Sequence, residues 1–139
     1  MKSLPLFQLI SIFLFANQPL SGQNQIVGRW LSPQRDAIVE IYELAGKFYG
    51  KITWMENTAN TNHPVDSQNP DIKLRKRPLI GLIVVSNLVY RNNEWVKGSL
   101  YYPPTGRTYP CKLELSNSNT LEITTYSGPF HTSWIWTRF

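Results

Sequence analysis

The chain has 139 residues and a net charge of +5 at pH 7, and hydrophobic residues make up 42% of it. This length favours one globular domain. The single cysteine excludes an intrachain disulfide, and with only two histidines it offers too few ligands for the usual zinc sites, so we expect no metal and no cofactor. Dense positive charge occurs only in Lys73–Arg77. Nucleic-acid binding needs a basic face with stacking aromatics, so we expect no such partner.

The first 22 residues are typical of a secretory signal peptide. Lys2 supplies the positive start, Leu4–Ala16 is an apolar run, and Pro19 precedes a small-residue cleavage region that ends at Gly22. The run is shorter than the roughly 20 apolar residues of a membrane span, so we expect no stable span. An uncleaved anchor is the alternative. We expect cleavage after Gly22, export to the periplasm or the medium, and a mature domain of residues 23–139.

The mature chain shows the alternation of β-strands. In Gly46–Trp54, Phe48, Ile52 and Trp54 fall on one face, whereas lysines fall on the other. This strand pairs with Ala37–Leu44 through a tight turn. Similar segments recur to the end of the chain, about eight in all. Closing such a sheet removes its edges, so we predict an all-β fold, a small antiparallel barrel; a two-sheet sandwich is the alternative.

The hairpin YYPPTGRTYPCKLEL, residues 101–115, holds the only cysteine. Cys111 lies on the apolar face between Tyr109 and Leu113, where a free cysteine behaves as a small hydrophobe. Burial also makes a thiol a poor nucleophile, and Cys111 with His131 is the only pair that resembles a nucleophile and its base. We therefore predict that the protein is not an enzyme and that Cys111 is buried and unreactive.

One long polar segment, Glu56–Pro78, interrupts the strands. Connections of this length are usually functional or disordered, and this one would be able to cover the mouth of a barrel. Its candidate site residues carry carboxylate, amide or guanidinium groups: Asp66, Asn69, Arg75 and Arg77.

Several blocks together resemble a known bacterial family. They are GRW, GKFYGKI, DSQNPD, RKRPLIGL, GSLYYPPTGRTY and WTR, which occur in this order between Gly28 and Arg138. The chain is similar to the exported proteins catalogued as domain of unknown function 2147. The resemblance implies a lipocalin-like barrel whose biochemical role is not established. It further implies that Gly28-x-Trp30 lies at the closed end of the barrel, with Arg138 stacked on the indole of Trp30.

The presumed inner face is rich in aromatic residues, including Trp134, and would either enclose a ligand or fill the barrel as plain core. We expect a small apolar or amphipathic ligand, for which the candidate residues are Trp30, Phe48, Trp54, Leu100, Tyr102, Tyr109 and Trp136. The alternative is a cell-envelope structural or interaction module without a cavity. It would bind an envelope partner through Lys73–Arg77, or through Trp95 and Tyr101, which the alternation predicts to be exposed.

Overall fold

The computed structural model describes residue 3 and residues 22–56 and 63–139. The predicted signal peptide, residues 1–22, lies outside the described residues except at its positions 3 and 22. The described chain forms eight β-strands: β1 (Gly28–Leu31), β2 (Ala37–Leu44), β3 (Lys47–Met55), β4 (Ile83–Arg91), β5 (Glu94–Tyr102), β6 (Arg107–Asn117), β7 (Thr120–Ser127) and β8 (Phe130–Arg138).

The strands close into one antiparallel barrel. Each strand pairs with the next in the chain, and β1 pairs with β8 to complete the ring. The prediction of an eight-stranded barrel is therefore confirmed, and the sandwich is excluded. Besides the strands, the described residues include two short 3₁₀ segments, Gly22–Ile26 and Ile72–Leu74. None of the helical segments in the described part of the chain is long and apolar enough to cross a membrane.

Tight turns with left-handed backbone join two pairs of strands. Ala45 and Gly46 have φ of 52° and 80° between β2 and β3, and Asn92 and Asn93 have φ of 51° and 63° between β4 and β5. Two successive residues with positive φ match the right-handed twist of the flanking strands. Gly46, Asn92 and Asn93 accept this conformation readily, whereas an alanine such as Ala45 seldom adopts it, so the hairpin of β4 and β5 carries the stronger local signal.

A β-bulge in β5 reverses the predicted orientation of Trp95. Lys97 has φ of 61°, and the register against β6 shifts between Trp95 and Gly98. The extra residue brings Trp95 opposite Leu113, which is fully buried. Trp95 is 1% exposed, so the prediction that it is exposed is wrong.

A second register shift, between β2 and β3, places Trp54 on the outside of the barrel. The shift falls at Ile38 and Val39, so that Trp54 lies opposite Ile38 rather than continuing the inward alternation of Phe48 and Ile52. Trp54 is 41% exposed and lines an outer cleft with Ile38. The prediction that it faces the interior is therefore wrong, because strict alternation fails at a bulge.

Large side chains fill the barrel toward one end. The rings of Phe48 and Trp95 meet edge to face, with centroids 6.4 Å apart. The Leu88 side chain packs directly against Gly98, where a Cβ atom would lie 2.3 Å from Leu88 Cδ2. The fully buried apolar residues are Ile26, Trp30, Phe48, Leu88, Trp95, Leu113 and Leu121.

Candidate functional site

One end of the barrel is closed by the 3₁₀ segment Gly22–Ile26. Ile26 is completely buried. The indole Nε1 of Trp30 donates a hydrogen bond to the Ile26 carbonyl at 2.8 Å, and that of Trp95 donates to the Gln23 carbonyl at 3.0 Å. Buried indole N–H groups need such acceptors, so the two tryptophans hold the segment across this end.

Arg138 completes the closed end, and the predicted stack on Trp30 is present. Its guanidinium carbon lies 4.2 Å from the centroid of the Trp30 ring. The same group donates to the carbonyl oxygens of Gln25 at 2.7 Å, Val27 at 3.2 Å and Ser118 at 2.8 Å. Arg138 therefore ties the chain before β1 to the loop before β7.

The other end, which we call the mouth, consists of the end of β5, the start of β6, the end of β7 and the start of β8. Leu100 lies opposite Tyr109, and both are half-buried. Tyr102 follows at the rim with 41% of its surface exposed. Trp134, 38% exposed, lies opposite the buried Ile123. These side chains lie on the inner face of their strands. They remain partly exposed, whereas the side chains at the closed end are covered by the 3₁₀ segment.

The structure thus separates the predicted ligand-binding residues into three groups. Leu100, Tyr102 and Tyr109 come together at the mouth. Trp30 and Phe48 are completely packed toward the closed end, and Trp136 is half-buried against the same core. Trp54 lies on the outer wall. Trp134 belongs with the mouth, and its signal in the sequence is that it precedes Trp136 by two residues on the same face.

The long segment supplies a compact polar network around Asp66, whose side chain is buried. The Asp66 carboxylate accepts hydrogen bonds from Asn69 Nδ2 at 2.8 Å, from Arg77 Nε at 2.8 Å and from the Tyr101 hydroxyl. Arg75 Nε donates to the Asn69 carbonyl at 2.8 Å. All four loop candidates therefore meet in one place, joined by Tyr101 of β5, which the sequence alone did not connect to them.

These contacts set the protonation of the Asp66 carboxyl. Burial alone would raise its pKa, but the hydrogen bonds from Tyr101, Asn69 and Arg77, with the positive charge of Arg77, outweigh burial. The pKa of Asp66 therefore lies below its usual value. The pKa of the Tyr101 hydroxyl is raised by burial and by its bond to Asp66. The carboxylate stays ionised and the phenol stays neutral at ordinary pH.

The described part of the segment packs on the outer wall of the barrel. Val65 forms a β-bridge with Pro78, which closes a loop that we call the strap, residues 65–78. The turn between β5 and β6 supports the strap at Gly106, whose φ is +71° and where a Cβ atom would lie 2.0 Å from the Gln68 carbonyl oxygen. Only glycine fits this contact without a shift of the backbone.

Two clefts lie on the outer surface. One, of about 330 Å³, runs between the strap and the outer faces of β4, β5 and β6. The other, of about 250 Å³, lies beside Leu31, Ile38, Trp54 and Phe139. Within the described ranges, no three side chains of His, Cys, Asp or Glu gather as a metal site would require.

Cys111 is 3% exposed in the core, whereas His131 is exposed on the hairpin of β7 and β8. Burial raises the pKa of the thiol to about 12. We expect Ellman's reagent to react slowly with the folded protein and completely after denaturation, because the thiolate is scarce and covered. Fast labelling of the native protein at neutral pH would contradict this prediction and would reopen the possibility of a catalytic thiol.

The closed eight-stranded barrel, with one end sealed by Trp30 and Arg138, defines a lipocalin-like protein. The sequence matches the family described as "Uncharacterized protein conserved in bacteria (DUF2147)" over residues 28–138, and the chain belongs to that family. A solved structure with a similar fold is described as "Protein HP1028 from the human pathogen Helicobacter pylori belongs to the lipocalin family". It is 27% identical, with a TM-score of 0.70 over 82% of each chain. No curated protein matches the chain significantly.

Proposed function

We propose that this chain is an exported, non-catalytic protein that binds a small apolar or amphipathic molecule at the mouth of the barrel. The difference between the two ends carries the proposal. The closed end buries its aromatic residues completely, whereas the mouth leaves Tyr102 and Trp134 each about two-fifths exposed on inner faces. Aromatic side chains of this kind are the usual lining of sites for apolar ligands.

The mouth also has polar groups that would orient a ligand. The hydroxyls of Tyr102 and Tyr109 form no hydrogen bond with other described residues, and the Thr125 hydroxyl makes only a long contact of 3.4 Å with the Thr132 carbonyl. A few hydroxyls in an apolar wall suit an amphipathic molecule whose head group stays near the rim. Export is supported by the signal-like residues 1–22, and a lipocalin-like fold is consistent with this kind of ligand.

The structure gives less support to the alternative, a cell-envelope interaction module, than the sequence did. Trp95 is in the core, Tyr101 is bonded to Asp66, and Arg77 is paired with the same carboxylate. Trp95 is thus unavailable to an envelope partner, and Tyr101 and Arg77 each make a contact within the domain. The remaining basic residues of the strap do not by themselves favour a protein partner.

Tryptophan fluorescence tests the proposal with a matched pair of variants. Titration of the folded protein with oleate or laurate should change the emission of the wild type in a saturable way. Trp134→Phe should remove most of that change, because Trp134 lies at the mouth. Trp54→Phe, an equally exposed tryptophan on the outer wall, should leave it intact.

Native mass spectrometry of the same samples should show a one-to-one adduct. If neither oleate nor laurate binds at high micromolar concentration, the proposed ligand class is ruled out. A fluorescence response that disappears in Trp54→Phe and persists in Trp134→Phe would place the ligand on the outer wall and contradict a site at the mouth.

A further inference from the structure

The cleft under the strap is separate from the mouth and has a different chemistry. Its floor is the outer face of β4, β5 and β6, and its roof is the strap. The volume of about 330 Å³ is at the lower limit of clefts that hold small ligands. Its polar lining includes Asn69 and Tyr101, whose side chains are bonded to Asp66. The other polar residues that line it are Arg77, Ser86, Ser99 and Thr108.

Arg77 presents a fixed cationic group to this cleft. Its Nε is bonded to the buried Asp66, and its guanidinium carbon lies 5.7 Å from the centroid of the Tyr101 ring. The two terminal nitrogens form no hydrogen bond with any described residue, and the side chain remains 35% exposed. A guanidinium bonded through its Nε keeps the N–H groups of its two terminal nitrogens, and such a pair of donors matches the two oxygens of a carboxylate.

The floor adds hydroxyl groups on adjacent strands. Ser86 lies opposite Ser99 across β4 and β5, and Thr108 lies opposite Tyr101 across β5 and β6. The hydroxyls of Ser86, Ser99 and Thr108 make no hydrogen bond within the described part of the chain. Each is able to donate to and accept from a hydroxylated ligand.

The charge around the cleft favours an anion over a neutral sugar. The roof carries four basic residues in Lys73–Arg77. Of these, Arg77 alone is paired with a carboxylate in the described structure, and Lys73, Arg75 and Lys76 are exposed. This cluster makes the local potential positive and attracts anions.

From these three features we propose that the cleft binds a small hydroxylated carboxylate, such as a sugar acid. The carboxylate bonds to the terminal N–H groups of Arg77, and the hydroxyls bond to Ser86, Ser99 and Thr108. This site goes beyond the proposed function, because it lies on the outer face of the barrel wall and involves none of the inner-face side chains that form the mouth.

The test uses two-dimensional amide NMR of the folded protein with glucuronate, glucose and acetate as probes. Glucuronate should shift the amides of Arg77, Ser86, Ser99 and Thr108 in a saturable way. Glucose lacks the charge and acetate lacks the hydroxyls, so each should bind at least about tenfold more weakly. Shifts that map to the mouth or to no single place would overturn the proposal, and so would equal binding of glucose.

Variants separate recognition from the general positive field. Arg77→Lys keeps the charge but loses the paired N–H donors of the planar guanidinium, and it should weaken glucuronate binding about tenfold. The double variant Ser86→Ala, Ser99→Ala leaves the strap intact and should also weaken glucuronate binding. It therefore tests the proposed cleft even if Arg77→Lys is poorly folded. Lys76→Gln removes a charge from the strap outside the cleft and should have little effect. If it weakens binding as much as the other variants, the proposed contacts are wrong.

Discussion

Replacing Trp30 with alanine is expected to lower the free energy of unfolding by about 3–5 kcal/mol, the range found when a buried tryptophan is truncated. The Trp30 side chain is completely buried, donates to the Ile26 carbonyl and lies under the guanidinium of Arg138. Its loss leaves a cavity, and it also removes the acceptor face on which Arg138 stacks. Urea denaturation followed by far-ultraviolet circular dichroism measures the change.

Trp134→Ala is the matched control, since it removes the same side chain from the mouth. Because Trp134 is 38% exposed, its loss should cost about 1 kcal/mol. Equal destabilisation by the two variants would contradict the inference that the barrel is sealed at one end and open at the other. A loss of oleate binding in Trp134→Ala, with stability nearly unchanged, would be consistent with the role proposed for the mouth.

Asp66→Asn is expected to destabilise the fold by about 2–3 kcal/mol at pH 7. The reason is that the NH₂ group of the new amide would face side chains that are themselves hydrogen-bond donors. The carboxylate accepts from Asn69, Arg77 and Tyr101. Arg77 remains 35% exposed, so water is able to solvate its charge in the variant, which keeps the loss below that of a fully buried ion pair. Tyr101→Phe, which removes one of the three donors and keeps the ring, should cost about 1 kcal/mol.

The effect of Asp66 should also depend on pH. Its pKa in the folded state is lowered from the usual value of 3.8. A group with a depressed pKa stabilises the fold at pH values above the pKa of the unfolded chain, and this contribution disappears as the pH falls through the folded pKa. The difference in stability between wild type and Asp66→Asn should therefore be constant from neutral pH down to about 5 and shrink below about 4. A difference that does not change at acidic pH would show that the carboxylate charge is not what the network stabilises.

Much of the fold was predictable from the sequence. The two errors in the predicted side-chain orientations have one physical cause. The alternation in Gly46–Trp54 and in the later segments correctly predicted strands and a closed barrel. It failed where a bulge adds a residue, so that Trp54 faces outward and Trp95 faces inward. Lys97 adopts a left-handed backbone at one of these places. A lysine carries no signal for that conformation, so the alternation of side chains could not reveal it.

The site was predictable only in part, because its contacts join residues that are distant in the sequence. The polar character of Asp66, Asn69, Arg75 and Arg77 marked them as candidates, but their meeting depends on how the strap folds back on the outer wall. Tyr101 completes the network from a strand distant in sequence, and no local pattern links it to Asp66. The stack of Arg138 on Trp30 followed from the family resemblance, whereas the three carbonyl groups that Arg138 also binds did not.

The short pairing between β1 and β8 has a consequence for how the barrel assembles. Seven of the eight ladders join strands that follow each other in the chain, whereas the eighth joins its two ends through only two residue pairs, Trp30 with Arg138 and Leu31 with Thr137. Local hairpins form with little loss of chain entropy, but joining the ends must close a loop of more than a hundred residues. We therefore expect the pairing of β1 with β8 to form last, and it includes Trp30 and Arg138, the two residues that also seal the closed end.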